Sequence, residues 1–399
     1  MASRPLLRVP VPPGPEGVER LWPALQAALD GSGPAIVPLP TLSATVSGDY
    51  LALLLAAVRP DEPLEDDAAA AVLTTSGSTG APHGVLLAAE QLTALSPSAN
   101  GGGRPVWVAA LPVTSMGGFN VLVRAAAAGR APETVHSIGG AGPFTAEAFA
   151  DAVDRAVAAT VTEGDVRTSL VPAQLSRLLG DERGVDALRR CASILVGGAA
   201  TRPALLEQAA ELGIALTTTY GATETAGGCV YSGRPLPGVR VDAEAAPGEA
   251  GRLSITGPTV ALGYRLDPGL TRDAFRGRTF RTNDLGVVHE DGRVEVLGRA
   301  DDIVIVRGVN VSPLAVENAV SDCEDVRACA VIVIEEAGEP TLHAFIEGDA
   351  EPDGVREQVA RRLGHAAQPL VHRVDALPHL PNGKVDRRAL QERAAQGGR

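Results

Sequence analysis

Between residues 69 and 219 the chain alternates two textures, and that alternation limits its possible folds more than any other feature. Apolar runs at 69–75, 106–111, 168–171, 193–197 and 214–219 have the length of single strands. Between them, alanine-rich segments at 88–97, 144–159, 173–180 and 202–212 carry helical periodicity. A strand followed by a helix closes most readily onto a parallel neighbour. The pattern therefore predicts an α/β fold, with a large N-terminal layered α/β domain whose strands run mostly parallel. Two further helices are expected ahead of it, over 16–30 and 50–58, set between Pro/Gly-rich loops.

From about residue 236 short β runs with turns take over (GRLSITG, RTFRT, GVVHEDGRVEVLG), which predicts a small antiparallel β subdomain. After Arg299 a compact α+β unit is expected. Ser312-Pro313 starts a helix, with serine as cap and proline in the first turn. Strands follow at 329–335 and 341–347, then a helix near 354–364. The expected domains are 1–299 and a smaller C-terminal domain, 300–399, and there is no internal repeat.

A chain of 399 residues is long enough for two such domains. It is 45% hydrophobic yet has no run of 18 apolar residues, so no membrane partner is expected. A net charge of -13 without a basic block argues against nucleic acid. Cys191, Cys229, Cys323 and Cys329 show no CxxC spacing and read as buried thiols of a reducing compartment. The first thirty residues have no charged segment leading into an apolar one, so cytoplasm is the expected location. The oligomeric state is open, a homodimer included.

Of the 35 basic side chains, Lys384 is the one lysine, in Pro381-Asn382-Gly383-Lys384-Val385-Asp386-Arg387. A guanidinium is a wide planar fork, whereas an ammonium is a compact charge on a flexible stem that can slip between two oxyanions. Beside an Asn-Gly turn signal, a lone lysine in an arginine-written chain reads as a functional cation, although one surface lysine can also survive such a bias by chance.

Three other stretches carry chemistry. Thr74-Thr75-Ser76-Gly77-Ser78-Thr79-Gly80-Ala81-Pro82-His83-Gly84 follows an apolar run, and its glycines and hydroxyls suit an anion-cradling loop. It is not a Walker loop, and the same composition also makes an ordinary turn. Ile194-Leu195-Val196-Gly197-Gly198-Ala199-Ala200 ends a strand in small residues, over which a flat ring could lie. Thr217-Thr218-Thr219-Tyr220-Gly221-Ala222-Thr223-Glu224-Thr225 is again strand into loop. There Tyr220 could stack on a base or bond a ribose, Thr223 could reach phosphate and Glu224 could offer oxygen to Mg²⁺. A tight turn with a buried tyrosine is the alternative.

TTSGSTGAPHGV, YGATE, GRLSITGPTVALGY, FRTNDLG, GRADDIVIVRGVNVSP and PNGKVDR occur in the order found in the adenylate-forming superfamily of acyl- and aryl-CoA ligases, firefly luciferase and peptide-synthetase adenylation domains. The chain resembles that superfamily across residues 74–387. GGCVYSGRPLPGVRV and LPVTSMGGFNVLVRAAAAG look most like its o-succinylbenzoate–CoA ligase branch.

The resemblance implies an enzyme that makes an acyl-AMP from a small acid and ATP with Mg²⁺, releases pyrophosphate, and then moves its C-terminal domain to admit a second nucleophile, usually CoA. By that resemblance Thr75, Ser76, Gly77, Ser78, Thr79, Gly80 and His83 hold the β/γ-phosphates. Gly198, Ala199, Tyr220 and Gly221 line the adenine, Thr223 touches the α-phosphate and Glu224 holds the metal. Asp284 accepts both ribose hydroxyls, a task for which a carboxylate is the natural bidentate acceptor, though NDLG alone would read as a surface turn. Arg299 reaches the nucleotide and Asp301 is the hinge, where a solvated linker is the bland alternative. Lys384 bridges the incoming carboxylate and the α-phosphate, stabilising an in-line displacement by charge and position.

Two departures stand out. The phosphate loop of the family ends in Pro-Lys-Gly, but here it is Pro82-His83-Gly84, which exchanges a permanent cation for a titratable one. Relatives carry a histidine at the position of Ser115, so Thr114, Ser115, Met116 and Gly117 make a smaller and more polar acid pocket, unless Met116 is core filler. Three options follow. One is a CoA ligase for an o-succinylbenzoate-like or aromatic acid. Another is a secondary-metabolism diazotase that activates nitrite for an aromatic amine, and the last is an inactive nucleotide binder.

Overall fold

The computed structural model describes residues 4–75, 82–160, 165–302, 304–306, 309–336, 339–378 and 385–397. The alternation read from the sequence becomes two sheets. In the first, β1 (Leu6–Val11), β2 (Ala35–Pro40) and β3 (Ala69–Thr74) run parallel; β4 (Gly84–Ala88) turns back antiparallel and pairs with Gly263–Tyr264. The second has seven strands: β5 (Val106–Ala109), β6 (Glu133–Thr134), β7 (Val166–Leu170), β8 (Ser193–Val196), β9 (Leu216–Ala222), β10 (Gly227–Tyr231) and β11 (Arg234–Pro235). The pairs β5–β6, β5–β7, β7–β8 and β8–β9 are parallel, and β10 and β11 are antiparallel additions at one side.

Parallel strands covered on both faces need continuous apolar runs, and β3, β5 and β8 supply them. Helix Pro15–Leu29 turns Val18, Leu21, Leu25 and Ala28 inward at spacings of three and four. Those side chains share one core with Trp107 of β5 and with Phe119 and Leu122 of helix Met116–Ala128.

Several expectations need adjusting. The expected 88–97 helix is two pieces, Ala89–Thr93 and Ser96–Asn100, because Pro97 has no N–H to continue the first and instead opens the second. Helix Met116–Ala128 was not anticipated, since its Gly117-Gly118 start looks like loop. A Cβ on Gly118 would sit 2.3 Å from the Pro112 carbonyl oxygen, so glycine is what lets this helix begin so close to the preceding loop. Of the four cysteines, Cys229 and Cys323 are buried while Cys191 and Cys329 are only half-buried.

The chain divides into two compact units, 1–201 with 207–242 and 254–282, and 202–206 with 243–253 and 283–399. Residues 283–299, placed in the first domain on sequence, pack within the second unit. There, Val294–Arg299 pairs antiparallel with residues 284–288. Ser312 caps helix Pro313–Ser321 by accepting the Ala315 N–H at 3.3 Å, as its sequence position implied. Val326–Glu336 and Glu339–Gly348 form an antiparallel pair joined in parallel by Leu370–Arg373. Val316, Val320, Val331, Leu342 and Ile346 fill the core beneath. Among the described residues no helix is long and apolar enough to cross a membrane.

In the first unit, Arg265 locks the 58–65 connection to the first sheet. Its side chain is 0% exposed. The guanidinium donates to the carbonyls of Val58 at 3.0 Å, Pro63 at 2.8 Å, Arg59 at 3.0 Å and Glu62 at 2.6 Å, and to the Glu65 carboxylate. All five N–H groups of the fork are thus used. Arg265→Met should cost about 3–5 kcal/mol, because it strands buried acceptors and one carboxylate; the urea midpoint measures this. A second expectation concerns Cys229, whose thiol burial pushes up to about 11. Native protein should therefore leave it unalkylated at pH 8. Stability should also decline as pH rises from about 9 toward that value, because the unfolded thiol ionises first.

Candidate active site

Strands β5, β7, β8 and β9 are parallel neighbours, so their carboxyl ends open on one edge of the seven-stranded sheet. Loops leaving such an edge are where α/β sheets bind ligands. From β5 come residues 110–115 and then helix 116–128, from β8 residues 197–200, and from β9 the turn 222–227. Thr114, Ser115, Met116, Gly117, Gly198, Ala199, Tyr220, Gly221, Thr223 and Glu224, picked out separately in sequence, are therefore brought to the same edge.

The exit of β8 hugs β9. A Cβ on Gly197 would lie 2.2 Å from Thr219 Oγ1, so only glycine allows this approach, and the Thr219 hydroxyl donates to the Val196 carbonyl at 3.3 Å. Gly198, at φ +81, needs the left-handed freedom of glycine. Gly198 and Ala199 are exposed and Tyr220 is half-buried beside them, an open shelf of small residues next to a ring.

Beyond β9 the chain makes one tight turn. Thr225 is buried and holds it from within: its hydroxyl oxygen accepts the Ala222 N–H at 2.9 Å and lies 2.9 Å from the Gly227 carbonyl, to which it donates. The Ala226 N–H reaches back to Thr223 O at 3.1 Å. Ala226 has φ +49, unusual for a residue with a Cβ, and Gly227 follows at φ +96. On this turn the Glu224 carboxylate accepts the Tyr264 hydroxyl at 2.8 Å, and its backbone carbonyl accepts the Ala261 N–H at 2.9 Å. The Tyr264 ring packs edge-on against Phe275 at 5.2 Å, with the His83 ring 5.5 Å away.

His83 closes the neck of the Ser/Thr/Gly loop. Thr75 N–H donates to His83 O at 2.8 Å, and His83 N–H to Thr75 Oγ1 at 2.9 Å. The loop interior, Ser76, Gly77, Ser78, Thr79 and Gly80, lies outside the described residues, as does Lys384. In the 114–117 stretch the Ser115 hydroxyl donates to Pro112 O at 2.7 Å, at the start of helix 116–128. Thr114 is half-buried, Gly117 is exposed and Met116 belongs to the main core.

Helix 116–128 also carries residues that sequence reasoning missed. Asn120, 5% exposed, donates its amide to Ala226 O at 2.7 Å. Arg124, 7% exposed, lies 5.3 Å over the Trp107 ring, with Nη1 3.4 Å from Ser169 Oγ and Nη2 3.2 Å from the Tyr231 hydroxyl. Among the described residues no carboxylate is paired with it. Residues 116, 120 and 124 are one turn apart on a single stripe, and a polar Asn and Arg recurring at that spacing in an otherwise apolar helix was the available signal. In the second unit, Asp284 and Arg299 are direct cross-strand partners. Asp301 lies in the single turn Ala300–Asp302.

Among the described residues no three His, Cys, Asp or Glu side chains converge as a metal cage. A single carboxylate at Glu224 nevertheless fits Mg²⁺, which is commonly held by one or two carboxylates together with substrate phosphates. The shelf of small residues beside Tyr220 fits a purine in the same way.

A family profile for AMP-binding enzymes matches residues 22–265. A probable 2-succinylbenzoate–CoA ligase of Mycobacterium tuberculosis is 39% identical over 386 residues, covering 94% of this chain and 95% of that protein. The 2-succinylbenzoate–CoA ligase of Geobacillus kaustophilus is 32% identical over 403 residues, covering 91% of this chain and 79% of that protein. Among solved structures, o-succinylbenzoate coenzyme A synthetase (MenE) from Bacillus subtilis in complex with ATP and magnesium superposes with a TM-score of 0.74. It is 21% identical, covers 97% of this chain and 90% of its own, and so supports the fold.

Tyr264→Phe removes the hydroxyl that donates to Glu224 Oε1 while keeping the ring in its aromatic cluster. The loss should be about 2 kcal/mol in the urea midpoint, the usual worth of a hydrogen bond to a charged group. No change would mean that the pair contributes nothing to the turn.

Proposed function

The chain belongs to the AMP-binding enzyme family, and from that premise we propose that it is an AMP-forming ligase for an aromatic acid that carries a second carboxylate, of the 2-succinylbenzoate kind, with CoA as acceptor. The observation that carries the choice of acid is Arg124. A guanidinium this buried without a carboxylate partner is costly. Its Ser169, Tyr231 and Trp107 neighbours form a polar seat beside an aromatic face. A benzoate-type carboxylate placed there would supply the missing charge, and the substrate named for the relatives has two carboxylates, one to anchor and one to react.

The reacting carboxylate attacks the α-phosphorus of ATP and expels pyrophosphate, giving an acyl-AMP. The CoA thiol then attacks the acyl carbon, and AMP leaves. In this reading the 75–83 loop and Thr223 hold phosphates, Glu224 holds Mg²⁺ and Tyr264 orients Glu224. Gly198, Ala199, Tyr220 and Gly221 face the adenine. Asp284 holds the ribose, Arg299 the nucleotide, and Asp301 serves as the hinge between functional domains 1–299 and 300–399. Lys384 supplies the positive charge between carboxylate and α-phosphate. His83 replaces a permanent cation at the phosphate loop, so His83→Lys should lower the KM for ATP by about tenfold, the worth of one charge-assisted contact.

The test is acid-dependent pyrophosphate release with 2-succinylbenzoate, benzoate, and nitrite plus an aromatic amine, each with and without CoA. The dicarboxylate should give AMP and a CoA thioester. Arg124→Met should raise its KM at least about tenfold, as loss of a charged contact does, while leaving benzoate turnover alone. Lys384→Ala should abolish adenylate formation with ATP binding retained. Nitrite-dependent AMP with loss of the amine, or ATP binding with silence on every acid, would overturn the proposal.

A further inference from the structure

We infer that Asn120 is a positioning residue for the turn that carries Thr223 and Glu224, and that it ties this turn to the helix bearing the acid pocket; the inference rests on the ligase reading above. Three observations meet here. The Asn120 amide, buried at 5% exposure, reaches 106 residues along the chain to donate to Ala226 O at 2.7 Å. The bond lands on the carbonyl of a left-handed non-glycine residue, Ala226 at φ +49. The next position has no side chain: a Cβ on Gly227 would lie 2.0 Å from Asn120 Nδ2. The glycine thus makes the room in which the amide sits, and the amide satisfies a carbonyl that the left-handed turn directs away from the strand ladder.

What the bond acts on is a short lever. Ala226 N–H closes the turn onto Thr223 O at 3.1 Å, so displacing Ala226 displaces Thr223 and Glu224 with it. From the far side Glu224 is held by Tyr264 at 2.8 Å and by the Ala261 N–H at 2.9 Å. Asn120 supplies the opposing grip. It stands one turn beyond Met116, so a shift in the 114–117 segment on acid binding passes along the helix into the turn. A misplacement of this kind appears in kcat more than in substrate affinity.

The experiment compares Asn120→Ala and Asn120→Asp with wild type. Asn120→Asp keeps the shape but replaces the donor with an acceptor facing a carbonyl. A control, Val121→Ala, is a fully buried core position on the same helix chosen for a comparable loss of melting temperature. We expect kcat for acid-dependent pyrophosphate release to fall on the order of 10- to 100-fold in both Asn120 variants. The KM for ATP should move less than about threefold, and Val121→Ala should keep its kcat. Unchanged kcat in the Asn120 variants, or an equal fall in the control, overturns the inference. Hydrogen exchange of a peptide spanning 222–227 decides independently of turnover. The Asn120 variants should exchange on the order of tenfold faster there than wild type, with the β8 peptide unchanged; equal rates would refute the role. A wild type silent on all acids would count against the ligase reading, and the exchange result would still decide for or against Asn120.

Discussion

The carboxyl edge of the seven-stranded sheet depends on a turn of six residues held from several directions. Thr225 fills it from inside, Asn120 pulls on Ala226 from the helix, and Tyr264 with Ala261 fixes Glu224 from the opposite side. The ordinary net worth of such bonds is about 1 kcal/mol each, or about 2 kcal/mol with a charged partner. Their effect is geometric. A residue at φ +49 followed by a glycine at φ +96 holds its conformation only where the surroundings over-determine it. The reward is a carboxylate, with the Thr223 backbone beside it, held at the mouth of a sheet before any ligand arrives, which is the condition for electrostatic preorganisation.

The sheet decides where that turn can act. With β5, β7, β8 and β9 parallel, four exits open side by side. One helix, 116–128, then runs back from this edge with a core residue, an amide and a guanidinium on a single stripe. Arg124 is the expensive member, because a buried charge without a counter-charge weighs against the fold. That cost makes sense if the charge is completed by a substrate. Arg265, equally buried, shows the contrasting case: its five donors are all met by the protein itself, and it serves the fold alone.

Much of this was legible in the sequence. The strand runs at 69–75, 106–111 and 193–197 fell within one or two residues of their observed ends, because buried parallel strands must be continuously apolar. The Ser312 cap declared itself by residue type alone. Gly198, Tyr220, Thr223 and Glu224 could be picked out because they sit in short local motifs at strand ends, and the sheet brings those ends to one edge. Asn120, Arg124 and Tyr264 were not, since each acts across 40 to more than 100 residues of chain through a partner that only the fold reveals. Helix 116–128 was missed for a related reason: paired glycines that look like a loop are there to let a helix start against a neighbouring carbonyl.

The central claim is that a carboxylate oxygen of the acid attacks phosphorus, and a label on that oxygen tests it most directly. With 2-succinylbenzoate carrying heavy oxygen in both carboxylates, ATP, Mg²⁺ and CoA, the account predicts AMP that has gained one labelled oxygen per turnover, with none in pyrophosphate. Unlabelled AMP formed alongside thioester, or label recovered in pyrophosphate or inorganic phosphate, would contradict it.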